Sequence, residues 1–173
     1  MAQRWKVRST LAAILLCPAA IGAAEPAPPA DESDGAHRAV LEIGAAISAG
    51  GSEGTRLGGS IAAEKTVLED WLELELGISA VTRRGETEIG GSLLFKKPWQ
   101  LTRRIEFMIG LGPELVHAVG ESGGTNPGAV AVLDVMFWPK RNVGWYLEPG
   151  YEIVFQHGSK GSFTATGGLL IGF

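Results

Sequence analysis

The residues best suited to chemistry in this chain fall into two groups. The first is a pair: in Phe155-Gln156-His157-Gly158-Ser159 an imidazole base stands two positions from a hydroxyl nucleophile, the side-chain types that ester hydrolysis requires. An orienting acid would complete the set, and because no Asp or Glu follows Glu152, that role falls to Glu152. The second group is a series of carboxylates: Glu42, Glu64, Glu73, Glu75, Glu88, Glu106, Glu114, Asp134, Glu148 and Glu152, with Arg38, Arg56, Lys96 and Arg104 as a basic minority. Packed into a narrow space, such acids must pair with cations, share protons or hold water. Their spacing matches no metal-ligand pattern and His117 is the one histidine within the alternating segments, so neither a metal nor a cofactor is expected.

What positions these residues is a period of two. Eight stretches of about eleven residues alternate apolar with polar or small side chains, the pattern of strands and not of helices. The third stretch is the clearest, with Leu72, Leu74, Leu76, Ile78 and Ala80 interleaved with Glu73, Glu75, Gly77 and Ser79. The first runs from Ala39 to Ala49, and the last ends on Phe173. Turn residues separate the stretches: Gly50 to Gly54, Arg83 to Glu86, Gly120 to Gly128, and Pro139 to Asn142. Every carboxylate of the series lies on the polar parity, while Lys65 and Lys97 are the basic exceptions on the apolar one. Gly112-Pro113-Glu114 and Glu148-Pro149-Gly150 mirror each other and predict bulges or local breaks, because proline cannot donate to a ladder. Such breaks would either re-aim Glu114 and Glu148 into a shared site or curve the sheet.

The N-terminus reads as an export signal over residues 1–24. Arg4, Lys6 and Arg8 precede an apolar core from Leu11 to Ile21, and Gly22-Ala23-Ala24 supplies the small residues of a cleavage site. Residues 25–37, rich in proline and acid, read as a flexible linker, and residues 38–173 as the folded domain. Cys17 falls within the signal, leaving a mature chain without thiol chemistry or disulfides. The mature chain keeps 12 basic residues against 19 acidic, a formal charge of −7 that disfavours a nucleic-acid partner. No stretch is long and apolar enough for a membrane helix, so any insertion must use strands.

Eight alternating segments predict an all-β fold, an eight-stranded antiparallel up-and-down transmembrane β-barrel with an acid-rich lumen. A soluble periplasmic lipocalin-like binding barrel, with the apolar parity inward, is the competing arrangement. The bulky residues favour the membrane reading, since an eight-stranded barrel has little room inside. With both chain termini in the periplasm, Trp71, Trp99, Trp138, Trp145 and Tyr146 gather at the periplasmic ends of their strands as an interfacial aromatic belt.

These segments, the signal sequence and the final Gly168-Leu169-Leu170-Ile171-Gly172-Phe173 resemble the small eight-stranded outer-membrane barrels of Gram-negative bacteria, such as the transmembrane domain of outer-membrane protein A. The resemblance implies residence in the outer membrane, contact with its lipid, and recognition of Phe173 by the barrel-assembly machinery. It implies a non-enzymatic structural or interaction role, or a very narrow pore, with no small-molecule ligand indicated. The short segments Arg83 to Thr87 and His157 to Gly161 speak against adhesin-like roles. The His157-x-Ser159 pair also looks like that of the lipid A deacylases, which share the eight-stranded barrel. Lys160 stands where that family shows asparagine, and Glu152 is not at the place of its acid.

Overall fold

In the computed structural model of the chain the described residues are 39–50, 54–120, 123–156 and 158–173. The expected signal peptide (1–24), the linker (25–37), Arg38 and His157 lie outside them. Eight strands follow one another: β1 (Ala39–Gly50), β2 (Gly54–Leu68), β3 (Leu72–Arg83), β4 (Glu86–Thr102), β5 (Ile105–Val119), β6 (Gly124–Lys140), β7 (Val143–Gln156) and β8 (Gly158–Gly172). Each pairs antiparallel with the next, and β1 pairs with β8 from Val40↔Gly172 to Ala49↔Phe163, closing an up-and-down barrel. Closure leaves no strand edge unpaired, the requirement for a sheet that meets lipid on its outer face.

The barrel has two ends. At the terminal end β1 begins and β8 finishes, and the turns around Asp70, Arg103–Arg104 and Arg141–Asn142 lie there; the far end carries the other connections. Tight turns let strands run past the expected segments. At the far end Arg84 (φ 48°) and Gly85 (φ 88°) both take left-handed backbone, as a two-residue hairpin matched to sheet twist demands. Residues 124–128, expected in a loop, belong to β6, where Thr125 pairs with His117 and their side chains bond at 2.9 Å.

The prolines interrupt less than expected. β5 and β7 continue through Pro113 and Pro149, and register is the same on either side of the pairs missing near them, Ser92↔Glu114 to Phe95↔Leu111 and Val132↔Gly150 to Val135↔Leu147. Both prolines are exposed on the outer face and lose ladder pairs on one side only. Neither bulges nor breaks form there.

Sidedness is set by the size of the side chains. Glu42 is 1% exposed while its neighbour Ile43 is 47% exposed, and Glu75 at 3% sits beside Leu76 at 64%. The outer face carries Leu57, Ile61, Ile78, Phe95, Leu111 and Leu169, and the inner face carries the acids, glycines and serines. The lipocalin-like arrangement, which needs the bulky parity inside, is therefore not the one adopted. Leu, Ile and Phe at alternate positions of eight strands would overfill an interior that admits only a few side chains across.

Candidate functional site

Among the described residues, the polar side chains converge in the lumen, which changes character along its axis. At the terminal end it is apolar: Val40, Met108, Met136, Tyr146 and Leu170 pack together, with Trp138 against them. Met108 and Leu170 are fully buried. Flexible methionines suit this layer because they fill irregular gaps in a packed interior.

One inward position further along, Val40, Met136 and Tyr146 give way to Glu42, Asp134 and Glu148, and the filling becomes ionic. Lys96 on β4 is 0% exposed, and its Nζ reaches Glu148 Oε2 at 2.7 Å, Asp134 Oδ2 at 2.8 Å and Glu64 Oε2 at 3.4 Å, and also contacts Glu75. The lysine thus ties β4 to β2, β3, β6 and β7 across the lumen. Its stem lies over Gly110, where a Cβ would come within 2.8 Å of Lys96 Cγ, so the glycine makes the lysine's path. Glu42 and Glu73 are buried in the same layer, and Glu73 accepts a hydrogen bond from Thr66 Oγ1 at 3.0 Å. An ammonium sequestered from water costs far more than it returns unless paired, and here its three protons meet a surplus of acceptors.

Tyr146 bridges the apolar and ionic layers. Tyr146 pairs with Gly168 on β8 and reaches across the β1–β8 seam to Gly44, where a Cβ would stand 2.7 Å from the Tyr146 hydroxyl oxygen. That hydroxyl lies 3.4 Å from Ser60 Oγ. An aromatic side chain set against a glycine of another strand restores packing that the glycine lacks.

Beyond the ionic layer the lumen opens. An inner cavity of about 100 Å³ is bounded by Glu42, Glu75 and Glu148 below and by Ser60, Ser79 and Thr164 at its sides. It shares Glu88, Val116 and Glu152 with a mouth of about 840 Å³ at the far end. Charges here are wetter and simply paired: Arg56 meets Glu88 at 3.2 Å, and Glu152 accepts a hydrogen bond from Ser162 on β8.

Of the acids expected in the lumen, Glu42, Glu64, Glu73, Glu75, Glu114, Asp134 and Glu148 are buried there, and Glu88, Glu106 and Glu152 are half-buried on the inward parity. Arg104 is not among them. It is exposed in the β4–β5 turn, where the Thr102 hydroxyl accepts from the backbone N–H groups of Arg104 and Ile105 and ends the alternation. The aromatic belt also needs correction. Trp71, Trp99 and Trp145 are exposed at the terminal end, whereas Tyr146 is 3% exposed inside the barrel and Trp138 packs on the inner apolar layer. Their parity decides the matter, since both occupy inward positions. Outside, Trp99 lies 5.9 Å from Phe107 and Phe137 lies 5.3 Å from Trp145, ring centre to ring centre, with Lys97 Nζ 5.6 Å over Trp99.

The expected hydrolytic set does not assemble around Glu152. Ser159 pairs with Phe155 at the rim, on the opposite parity from Glu152 although it borders the mouth, while Glu152 pairs with Ser162 on the inner face. His157 lies outside the described residues, and Ser159 is exposed. The residue that sequence reasoning undervalued is Lys96, placed among a basic minority although it centres the ionic layer. Its signal was a lysine on the polar parity of a strand beside an inward glycine, Gly110, on the next.

The fold has solved counterparts. Neisserial surface protein A aligns with a TM-score of 0.65 at 17% identity, over 80% of this chain and 99% of that one. Outer membrane protein OprG of Pseudomonas aeruginosa gives a TM-score of 0.58 at 10% identity, over 81% and 98%. Ail, the attachment invasion locus protein of Yersinia pestis, gives 0.54 at 13%, over 78% and 99%. No protein-family model and no curated protein sequence matches the chain. At such identities the likeness is one of fold: this chain has the eight-stranded barrel fold of outer-membrane proteins.

Proposed function

We propose that the protein is a non-enzymatic barrel of the bacterial outer membrane, closed at its terminal end and open as a small polar cup at the other. The observation that carries this reading is the inversion of the two faces, with exposed Leu, Ile and Phe outside and Lys96 with its carboxylates fully buried inside. In water an apolar surface of this extent would drive association, whereas in lipid it is the ordinary exterior of a spanning barrel. The export signal read over residues 1–24 and the exposed tryptophans Trp71, Trp99 and Trp145 at one end fit the same assignment. With β1 and β8 ending toward the periplasm, the plugged end faces inward and the cup faces the cell exterior.

The Met108, Met136 and Leu170 layer backed by the Lys96 cluster argues for a structural or surface-interaction role over conduction. The barrel-assembly machinery and outer-membrane lipid are the partners this reading requires. Two of the structural counterparts are described as surface or attachment proteins, but here the far-end connections are short: β3 passes to β4 through Arg84 and Gly85 alone. Any partner at the surface must therefore meet the rim and cup and not long loops. Separation of membranes from the expressing cell should place the protein in the outer-membrane fraction, migrating faster on gels when unheated. Its release with the soluble periplasm would sink the assignment. Incorporation into planar bilayers should give no steady conductance, and a stable ohmic current would overturn the closed reading while leaving the location intact.

A further inference from the structure

We propose that Glu42, Glu64 and Asp134 form a lumenal site for one hard divalent cation of calcium size. Each of the three offers a carboxylate oxygen, all within 4.8 Å of one another, from β1, β2 and β6. A cation with bonds of about 2.4 Å spans such a set, and an all-oxygen donor set selects hard ions over zinc or copper. Magnesium demands bonds of about 2.1 Å in a near-ideal octahedron, which three acids fixed on separate strands supply less readily.

Two further observations point to a missing ligand. Glu42 Oε1 and Asp134 Oδ1 have no hydrogen-bond partner, in side chains only 1% and 0% exposed. Lys96 does not supply one: its ammonium is occupied by Glu75, Glu148 and Asp134 Oδ2, and it stands 3.4 Å from Glu64. Buried, ionisable oxygens left without a donor are rare because each forfeits its hydration, so a resident group that satisfies both is the economical solution. The layer also holds one ammonium against the carboxylates of Glu42, Glu64, Glu73, Glu75, Asp134 and Glu148, a surplus of negative charge that a divalent ion offsets. Access exists: the inner cavity of about 100 Å³ touches Glu42, has room for waters to complete the coordination, and shares its walls with the wide mouth. The site is distinct from Arg56–Glu88 at the mouth, which is already paired.

The test uses the protein purified in a non-ionic detergent, free of lipopolysaccharide, with calcium alone as the probe. After dialysis and titration calorimetry, one calcium per chain is expected, bound more tightly than magnesium, together with a rise in the unfolding temperature that chelation reverses. Glu42→Gln should weaken calcium binding by at least about tenfold, as loss of a metal-site group does, while keeping the heat-modifiable folded band. Glu88→Gln, in the mouth, should bind as the wild type does. Asp134→Asn is a second variant, but it also loosens Lys96; Glu42 is outside the set of carboxylates in contact with Lys96, so Glu42→Gln decides if Asp134→Asn fails to fold. No calcium retained by the wild type at about 1 mM, a weak-site concentration, or an undiminished equivalent in Glu42→Gln, would overturn the proposal and leave protons alone to neutralise the layer.

Discussion

The two halves of the lumen draw on the same side chains and use them in opposite ways. Near the terminal end Lys96 is wholly enclosed and faces four carboxylates on four other strands; at the mouth Arg56 is slightly exposed and meets Glu88, itself about a quarter exposed. What differs is the floor beneath them. Met108, Met136 and Leu170 close the lower layer on its terminal side, and its acids Glu42, Glu75 and Glu148 face only a small cavity of about 100 Å³ on the other. The upper charges have a cavity of about 840 Å³ above them and are solvated whether paired or not. The lesson is that polarity on the inner face does not define a role; distance from water does.

That contrast can be broken most forcefully at Lys96. Lys96→Met keeps the stem over Gly110 but strands the buried carboxylates, and should destabilise the folded barrel by about 3–5 kcal/mol, read from urea unfolding in detergent or vesicles. If the loss is under about 1 kcal/mol, the lower layer is as wet as the upper and the contrast fails. Removing the seal comes next. Met108→Ala should cost about 2–4 kcal/mol and admit water to the ionic layer, seen as faster reaction of a cysteine placed at Ala46, above that layer, with a thiol reagent applied from the terminal side of a reconstituted barrel. Arg56→Met, the mouth counterpart of Lys96→Met, should cost no more than about 1 kcal/mol in the same unfolding assay. The smallest effect belongs outside the lumen: Ser159→Ala should change neither stability nor the acyl composition of lipid A measured by mass spectrometry. A change in lipid A on expression of the wild type that this variant abolishes would restore the hydrolytic reading.

Which residues share a face was legible from the period of two, and for the carboxylates and the bulky aliphatics so was the face itself, because lipid and lumen each accept only one chemistry. Depth was not legible. Tyr146 shows how height can mislead: its level beside Trp145 suggested a belt, but its inward parity put its hydroxyl against Gly44 inside the barrel. Trp138 followed the same rule. Nor did alternation reveal that Lys96 would meet Asp134 and Glu148, since this depends on the stagger between strands that are far apart in sequence and joined only through closure. The prolines misled for a related reason. Pro113 and Pro149 read as ladder breaks in one dimension, while in the sheet each lies on an outward position whose pairing is kept on its other side. Arg104 was misplaced because the Thr102 hydroxyl caps the turn one step before the expected strand begins.

The seam between β1 and β8 has a consequence for how the barrel comes into being. Seven of the eight pairings join strands adjacent in the chain and can form as local hairpins, but this one joins residues more than a hundred positions apart. Closing so long a loop costs more chain entropy than forming any of the local hairpins. The middle of the seam carries small side chains, for Gly44, Ala45 and Ala46 face Gly168, Gly167 and Thr166, whereas Leu41 and Ile43 face Ile171 and Leu169 nearer the terminal end. Tyr146, carried by β7 beside Gly168, sets its hydroxyl against Gly44 across the closed seam. It therefore acts as the latch of a long-range closure, and a barrel lacking it should reseal slowly even where its finished form is stable.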